Sequence, residues 1–261
     1  MRFKVNKKKL VLSLIGLAAT LILHYLIFGN TIYFYNQEKE EFGGKQGTVV
    51  IKPLLTANAY KKGGFYDYYK GKCDAKCLTV TIDDGMPYKY SASESAIVVL
   101  EALDYDFITD YQLHKDPSLI KQYEKVILLH SEYVTGEIFD AIISHPNVVY
   151  LYPNALYAQV AIQDDKMTLI RGHSYEDGQY PVEVSNGFGW IYDNHDQEYD
   201  KECKNWQFYP IDNGWMLNCY PENIIIKNKQ LLRELAQVST IQQKCIGGQI
   251  LYYPENCSSL K

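Results

Sequence analysis

Two short polar clusters in this chain carry residue types that do chemistry, and each follows an apolar run. His130-Ser131-Glu132-Tyr133 comes after Val126-Ile127-Leu128-Leu129, and Asn154 comes after Val148-Val149-Tyr150-Leu151-Tyr152. An imidazole titrates near neutral pH and can move protons. A carboxamide such as that of Asn154 can orient a carbonyl. Both apolar runs are short and bounded by polar residues, the pattern of strands buried on both faces of a parallel sheet. Ligands of open α/β sheets sit at the carboxyl ends of the strands. His130, Glu132 and Asn154 are therefore expected to converge there. The plainer alternative is a pair of loops whose polar residues only satisfy backbone groups. Two clusters on adjacent strand ends favour a site.

The elements around these clusters follow from caps and periodicity. Thr135 is placed to N-cap a helix with Ile138, Phe139 and Ile142 on one face, ending before His145-Pro146. Strand, helix and strand then form a right-handed βαβ unit. Upstream, Gly47 to Leu54 reads as a first strand, with Thr56 to Tyr60 at its end. Cys77 to Ile82 alternates like a strand. Ser93 is placed to cap a helix carrying Ala96, Ile97, Leu100 and Leu103, and Asp116-Pro117 to start another. This alternation predicts a parallel sheet with helices on both faces.

The texture changes after Leu156. Leu156 to Gln163 and Met167 to Ile170 flank Asp164-Asp165 as a hairpin. Asp193 to Asp200 is a dense acidic loop, read as a solvated loop or a calcium site. His173 and His195 are either loop residues or a cover for the strand-end pocket. Asn213-Gly214 is a turn inside an aromatic, irregular β segment. Ile224 to Val238 has helical periodicity, with Ile225, Leu231, Leu232 and Leu235 on the buried face.

A resemblance rests on three motifs in order: Tyr105-Asp106-x-Ile108-Thr109-Asp110-x-x-Leu113-His114, then His130-x-Glu132-Tyr133, then Tyr150-Leu151-x-x-Asn154-x-x-Tyr157. Together they resemble the C-terminal, class-I-glutamine-amidotransferase-like part of the N,N-dimethylformamidase large subunit. The resemblance implies an amidotransferase-like or flavodoxin-like α/β fold, here with a β-rich, disulfide-clipped C-terminal addition. It also implies a mononuclear iron site and amide or C–N hydrolysis. By the same resemblance Glu132 is the carboxylate ligand, with His130 and Asn154 beside it, and Tyr60 of Thr56-x-x-Ala59-Tyr60 is a phenolate ligand. Phenolate and carboxylate are hard donors that suit ferric iron better than zinc. The family's second tyrosine ligand comes from a Tyr-Asp-x-His segment that has no counterpart here. Tyr66 precedes Asp67 without the histidine and reads as a packing residue, with a ligand role as the alternative.

The rest of the chain bounds where such a protein works. Residues 1–9 carry five basic groups and no acid, and residues 10–28 carry no charge and are long enough to cross a bilayer. The expected organisation is a cytoplasmic tail over 1–9, an anchor over 10–28, a stalk over 29–45 and an extracytoplasmic domain over 46–261, whose part from 155 is β-rich. A cleaved signal peptide is the rival reading. The whole chain is −5 and the first nine residues +5, leaving −10 beyond them, a balance unsuited to binding nucleic acid. All six cysteines lie beyond the apolar run, which reads as disulfides in an oxidising compartment. Spacing suggests Cys73–Cys77, Cys203–Cys219 and Cys245–Cys257, while sequence alone leaves the pairing open. No cysteine follows a strand, which argues against a thiol nucleophile. Two functions fit: a membrane-anchored, metal-dependent amide or C–N hydrolase, and a non-catalytic accessory or structural subunit of a membrane or envelope complex. The partners expected are the membrane and other membrane or envelope proteins.

Overall fold

The computed structural model describes residues 37–91, 93–172, 175–176, 186–192 and 195–238. The basic tail, the apolar run over 10–28, His173, the His195 side chain and the Cys245–Cys257 pairing lie outside the described residues. Among the described residues no helix is long and apolar enough to cross a membrane.

Residues 37–42 are helical (α1) and lead into β1, Thr48–Lys52. Two short helices follow, α2 over Leu54–Tyr60 and α3 over Phe65–Tyr69, then β2 over Thr79–Thr81. Next come α4 (Glu94–Ala102), β3 (Asp106–Thr109), α5 (Asp110–Lys115) and β4 (Lys125–Leu128). Then follow β5 (Tyr133–Val134), α6 (Gly136–Ser144) and β6 (Val148–Tyr150). The remainder is β7 (Ala158–Gln163), β8 (Lys166–Gly172), β9 (Tyr175–Glu176), β10 (Phe208–Ile211), β11 (Gly214–Leu217) and α7 (Lys229–Gln237).

The main sheet has the order β10-β11-β6-β4-β1-β3 and is parallel apart from β10. Every residue of β4 is buried, as its unbroken apolar run requires. Alternate residues divide between two cores. Val49, Ile51, Val126 and Leu128 join Leu55, Phe65, Leu113, Ile138 and Ile142 on one face. Val50, Ile127 and Val149 join Leu100, Leu231, Leu232 and Leu235 on the other. Helices therefore cover both faces. The βαβ unit is present as β4–α6–β6, with Val126 paired to Val148, and Thr135 accepts the Ile138 N–H as N-cap.

Three expectations need correction. Cys77 to Ile82 does not enter the parallel sheet. Its strand β2 pairs antiparallel with β8 in a second sheet, β2-β8-β7-β5, built on the hairpin at Asp164-Asp165. Its alternation leaves Thr79 and Thr81 exposed, which a doubly covered sheet would not tolerate. The C-terminal β segment is not wholly an addition either. The β10–β11 hairpin extends the main sheet, with β11 parallel to β6. Glycine permits this approach, because a Cβ at Gly214 would stand 1.8 Å from the Val148 carbonyl oxygen. Third, Ser93 sits at the N-cap of α4 without making the capping hydrogen bond. Glu222 does so instead, accepting from Ser95 N at 3.0 Å and Ala96 N at 3.3 Å. Two disulfides are formed, Cys73–Cys77 and Cys203–Cys219.

Candidate functional site

The carboxyl ends of β1, β4 and β6 meet at a cluster of partly buried phenols, one buried carboxylate and one buried imidazole. Tyr60 is the last residue of α2 rather than part of an open loop. Its hydroxyl donates to Glu132 Oε2. The Tyr66 hydroxyl, from the first turn of α3, donates to Tyr60 Oη at 3.1 Å, and the two rings meet edge to face at 4.4 Å. Gly63 adopts a φ of +75° between the two helices, so the chain reverses there and returns the second tyrosine to the first. Tyr66 is therefore part of the cluster, contrary to its reading as ordinary packing. No spacing rule marks it; only the glycine break between two tyrosines hints at the reversal.

Glu132 has no exposed surface. Its backbone is fixed by Thr56, whose Oγ1 accepts the N–H of Glu132 at 2.9 Å and of Tyr133 at 3.2 Å. The loop after β6 is tied to the loop after β4: Leu156 N donates to Ser131 O and Ala158 N to Glu132 O, at 2.9 and 2.8 Å. Asn154 lies in that loop, is 2 % exposed and has φ +61°, and Leu156 has φ +58°. A left-handed leucine is strained, and strain of this kind collects at functional sites. His130 is 3 % exposed. Its Nδ1 is 2.9 Å from the Ser91 carbonyl oxygen, and its N–H donates to Ser93 Oγ at 3.2 Å. Tyr60, Glu132, His130 and Asn154 are thus brought to one end of the sheet, joined by Tyr66, Thr56, Ser91 and Ser93.

Electrostatics follow from burial. The Tyr60 phenol is raised well above its ordinary value by burial and then by the charge of Glu132, and Tyr133 likewise. Tyr66 and Tyr69 are raised by the same two causes. The phenols are therefore protonated donors around one carboxylate. The acidic turn His195–Tyr199 is within electrostatic range: Glu198 raises Tyr66 and Tyr220, and the charge of Glu132 reaches Tyr199. Backbone holds this turn beside the cluster, since Tyr220 N donates to Asp200 O at 2.9 Å. Tyr152 links the site to the C-terminal part by donating to Glu222. A separate groove of about 840 Å³ lies elsewhere, at the amino ends of β4 and β6, lined by Tyr123, Glu124, Asp140 and His145 among others.

Among the described residues no three His, Cys, Asp or Glu side chains could hold a metal ion. An oxygen set built on Tyr60, Tyr66 and Glu132 is of a different kind, two phenols and one carboxylate within a single hydrogen-bonded string. No protein-family model matches the chain, and no curated protein matches it.

Proposed function

We propose that the Tyr60–Tyr66–Glu132 cluster is a mononuclear metal site of a membrane-anchored, extracytoplasmic amide or C–N hydrolase. The single observation that carries this reading is the string Tyr66–Tyr60–Glu132, three hard oxygen donors gathered at the strand ends, with Glu132 fully buried and the two tyrosines partly so. The donor set fits ferric iron in its chemistry, because phenolate and carboxylate oxygens match a hard ion. It also matches what the dimethylformamidase resemblance implies, with Tyr66 supplying the second tyrosine from a different sequence motif. The finer fold assignment, amidotransferase-like or flavodoxin-like, belongs to the same reading. When bound, iron supplies Lewis acidity and an activated water. The protein's own residues do the rest. Thr56 holds the Glu132 backbone, His130 presents a ring nitrogen beside the cluster, and Asn154 orients a carbonyl from the strained loop. Protonated phenols lose their protons when they take a metal, so binding releases protons.

A non-catalytic accessory or structural subunit of a membrane or envelope complex is the second reading. The observation favouring it is that the Tyr60 phenol, raised by burial, already donates to Glu132 as a neutral group. Elemental analysis and a visible spectrum of the extracytoplasmic part, purified without chelator, separate the two. Iron near one per chain, with a phenolate-to-iron charge-transfer band lost in Tyr60→Phe, supports the hydrolase. A folded, colourless, metal-free protein, with Glu132→Ala unchanged in fold and activity, removes it.

A further inference from the structure

The groove at the amino ends of β4 and β6 has an apolar floor and an acidic rim. Pro117, Ile120 and Tyr123 form one side of the floor, and Ala141 and Pro146, from α6 and its exit, form the other. Four carboxylates stand around it, those of Asp116, Glu124, Glu137 and Asp140, with Lys121 as the one cationic chain among them. Two of the four are engaged: Asp116 accepts from Ser118, and Glu137 lies 3.6 Å from His114. Glu124 and Asp140 form no ion pair among the described residues. Apolar surface rimmed by polar groups marks an interaction face.

The chain itself leaves the fold beside this groove. α7 ends over the amino end of β4, where the Lys125 ammonium donates to the carbonyls of Leu235 and Ala236. Lys125 directly follows Tyr123 and Glu124, which line the groove. Val238 is the last described residue, and residues 239–261 follow it. Their sequence matches the groove in two respects. Ile250-Leu251-Tyr252-Tyr253 is an apolar run that suits the floor. The side-chain charges of the segment are Lys244 and Lys261 against Glu255, a balance of +1. Four carboxylates against one lysine give the groove −3. α7 and α6 cover opposite faces of the sheet, so the segment has to round the sheet's end. Val238 and Ile250 are 12 positions apart. Such a stretch reaches up to roughly 40 Å when extended, more than a sheet and a helix layer together.

We propose that residues 239–261 turn back over the amino end of the sheet and dock Ile250–Tyr253 in this groove, with Lys244 toward the Glu124 and Asp140 carboxylates. The Cys245–Cys257 bridge suggested by spacing brackets the apolar run, and closing that loop lowers the ordering cost of docking. The docked segment ties α6 to the turn over Pro117–Gln122, at the end of the strands opposite the tyrosine cluster. The inference is independent of what that cluster binds.

The test is photo-cross-linking of the full chain in detergent, with Tyr252→p-benzoylphenylalanine as the probe and mass spectrometry to map the products. Unlabelled and ¹⁵N-labelled chains are mixed in equal amounts first. The expected result is a cross-link within one chain to residues 117–123 or 140–146. A mixed-isotope cross-link to those residues assigns the groove to a second copy. A cross-link elsewhere assigns the segment to another surface, and no cross-link leaves the groove to a separate partner; each of the three overturns the proposal. Ala141→Arg, which fills the floor from a half-buried position on α6, should lower the yield about tenfold, the effect of keeping one large apolar side chain out of the groove. Should that variant not fold, Glu124→Lys with Asp140→Lys, both at exposed positions, should lower the yield about threefold by repelling Lys244. A wild-type yield in the folded variant overturns the proposal, and neither result bears on iron at the tyrosine cluster.

Discussion

Two histidines stand at opposite ends of the same strand pair, and only one is left with something to do. His145 precedes β6 at its amino end; His130 follows β4 at its carboxyl end. Both are more than nine-tenths buried, at 6 and 3 % exposure. His145 uses both ring nitrogens on backbone: Nδ1 accepts from Asn147 N at 3.2 Å, and Nε2 donates to Tyr123 O at 3.0 Å. His130 uses one and keeps Nε2 open. A groove of about 840 Å³ lies at the His145 end. Space alone therefore does not mark a site here. A buried polar atom with no partner calls for an explanation, because folding gains nothing by leaving it so. Each end also holds a further buried ionisable group. Lys125, at the start of β4, donates to the carbonyls of Leu235 and Ala236 at the end of α7. Asp110, just past β3, accepts the Leu55 N–H at 3.1 Å at the start of α2.

The comparison can be broken by experiment. Removing the Cys203–Cys219 clip, which closes a separation of 16 residues, should cost about 3 kcal/mol in urea unfolding. It should also loosen Tyr220 beside His130, seen as broadened His130 signals, while the His145 end is untouched. Equal broadening at both ends would mean the two are mechanically one unit.

Next in size, His145→Ala should destabilise by about 2 to 3 kcal/mol, because it strands the Asn147 N–H and the Tyr123 carbonyl. His130→Gln should stay within about 1 kcal/mol, since a glutamine can still donate to Ser91 and no other partner is lost. Equal losses would show that both rings are structural. Thr56→Val should cost about 2 kcal/mol by unpairing two buried N–H groups, with Thr56→Ser close to wild type.

The smallest effects are in pH dependence, and they have opposite signs at the two ends. Burial pushes the Asp110 carboxyl up from 3.8 to about 8. Its folded value lies above its unfolded one, so its contribution is complete in acid and is lost as pH rises toward 8. Burial pushes Lys125 down from 10.5 to about 7. Its folded value lies below its unfolded one, so its contribution is complete above 10.5 and is lost as pH falls through 7. Asp110→Asn should flatten the fall in stability between pH 4 and 8, and Lys125→Met the rise between 7 and 10.5, each slope by about 1 kcal/mol per pH unit. Unfolding midpoints across pH check both, and a variant slope equal to wild type would clear that group of any role.

Local rules carried much of this architecture. The runs Val126–Leu129 and Val148–Tyr152 are apolar at every position, and only a sheet covered on both faces accommodates that. Thr135 three residues before Ile138, and Asp116 before Pro117, are caps whose geometry is written in neighbouring residues. The polar residues just past those strands were bound to gather at one end, so His130, Glu132 and Asn154 were foreseeable as a group. Other features depend on contacts across long stretches of chain. The capping of α4 by Glu222 spans 127 residues, and nothing near Ser93 announces it. The exit of β2 to a second sheet depends on where β8 lies. Tyr66 joined the cluster because two short helices fold back on each other at Gly63, and the His130 ring is oriented by a carbonyl 39 residues away that faces Nδ1. Caps and strand patterns are set by neighbours within a few residues. Which buried atom finds a partner, and which is left open, is set by the packing of elements far apart in the chain.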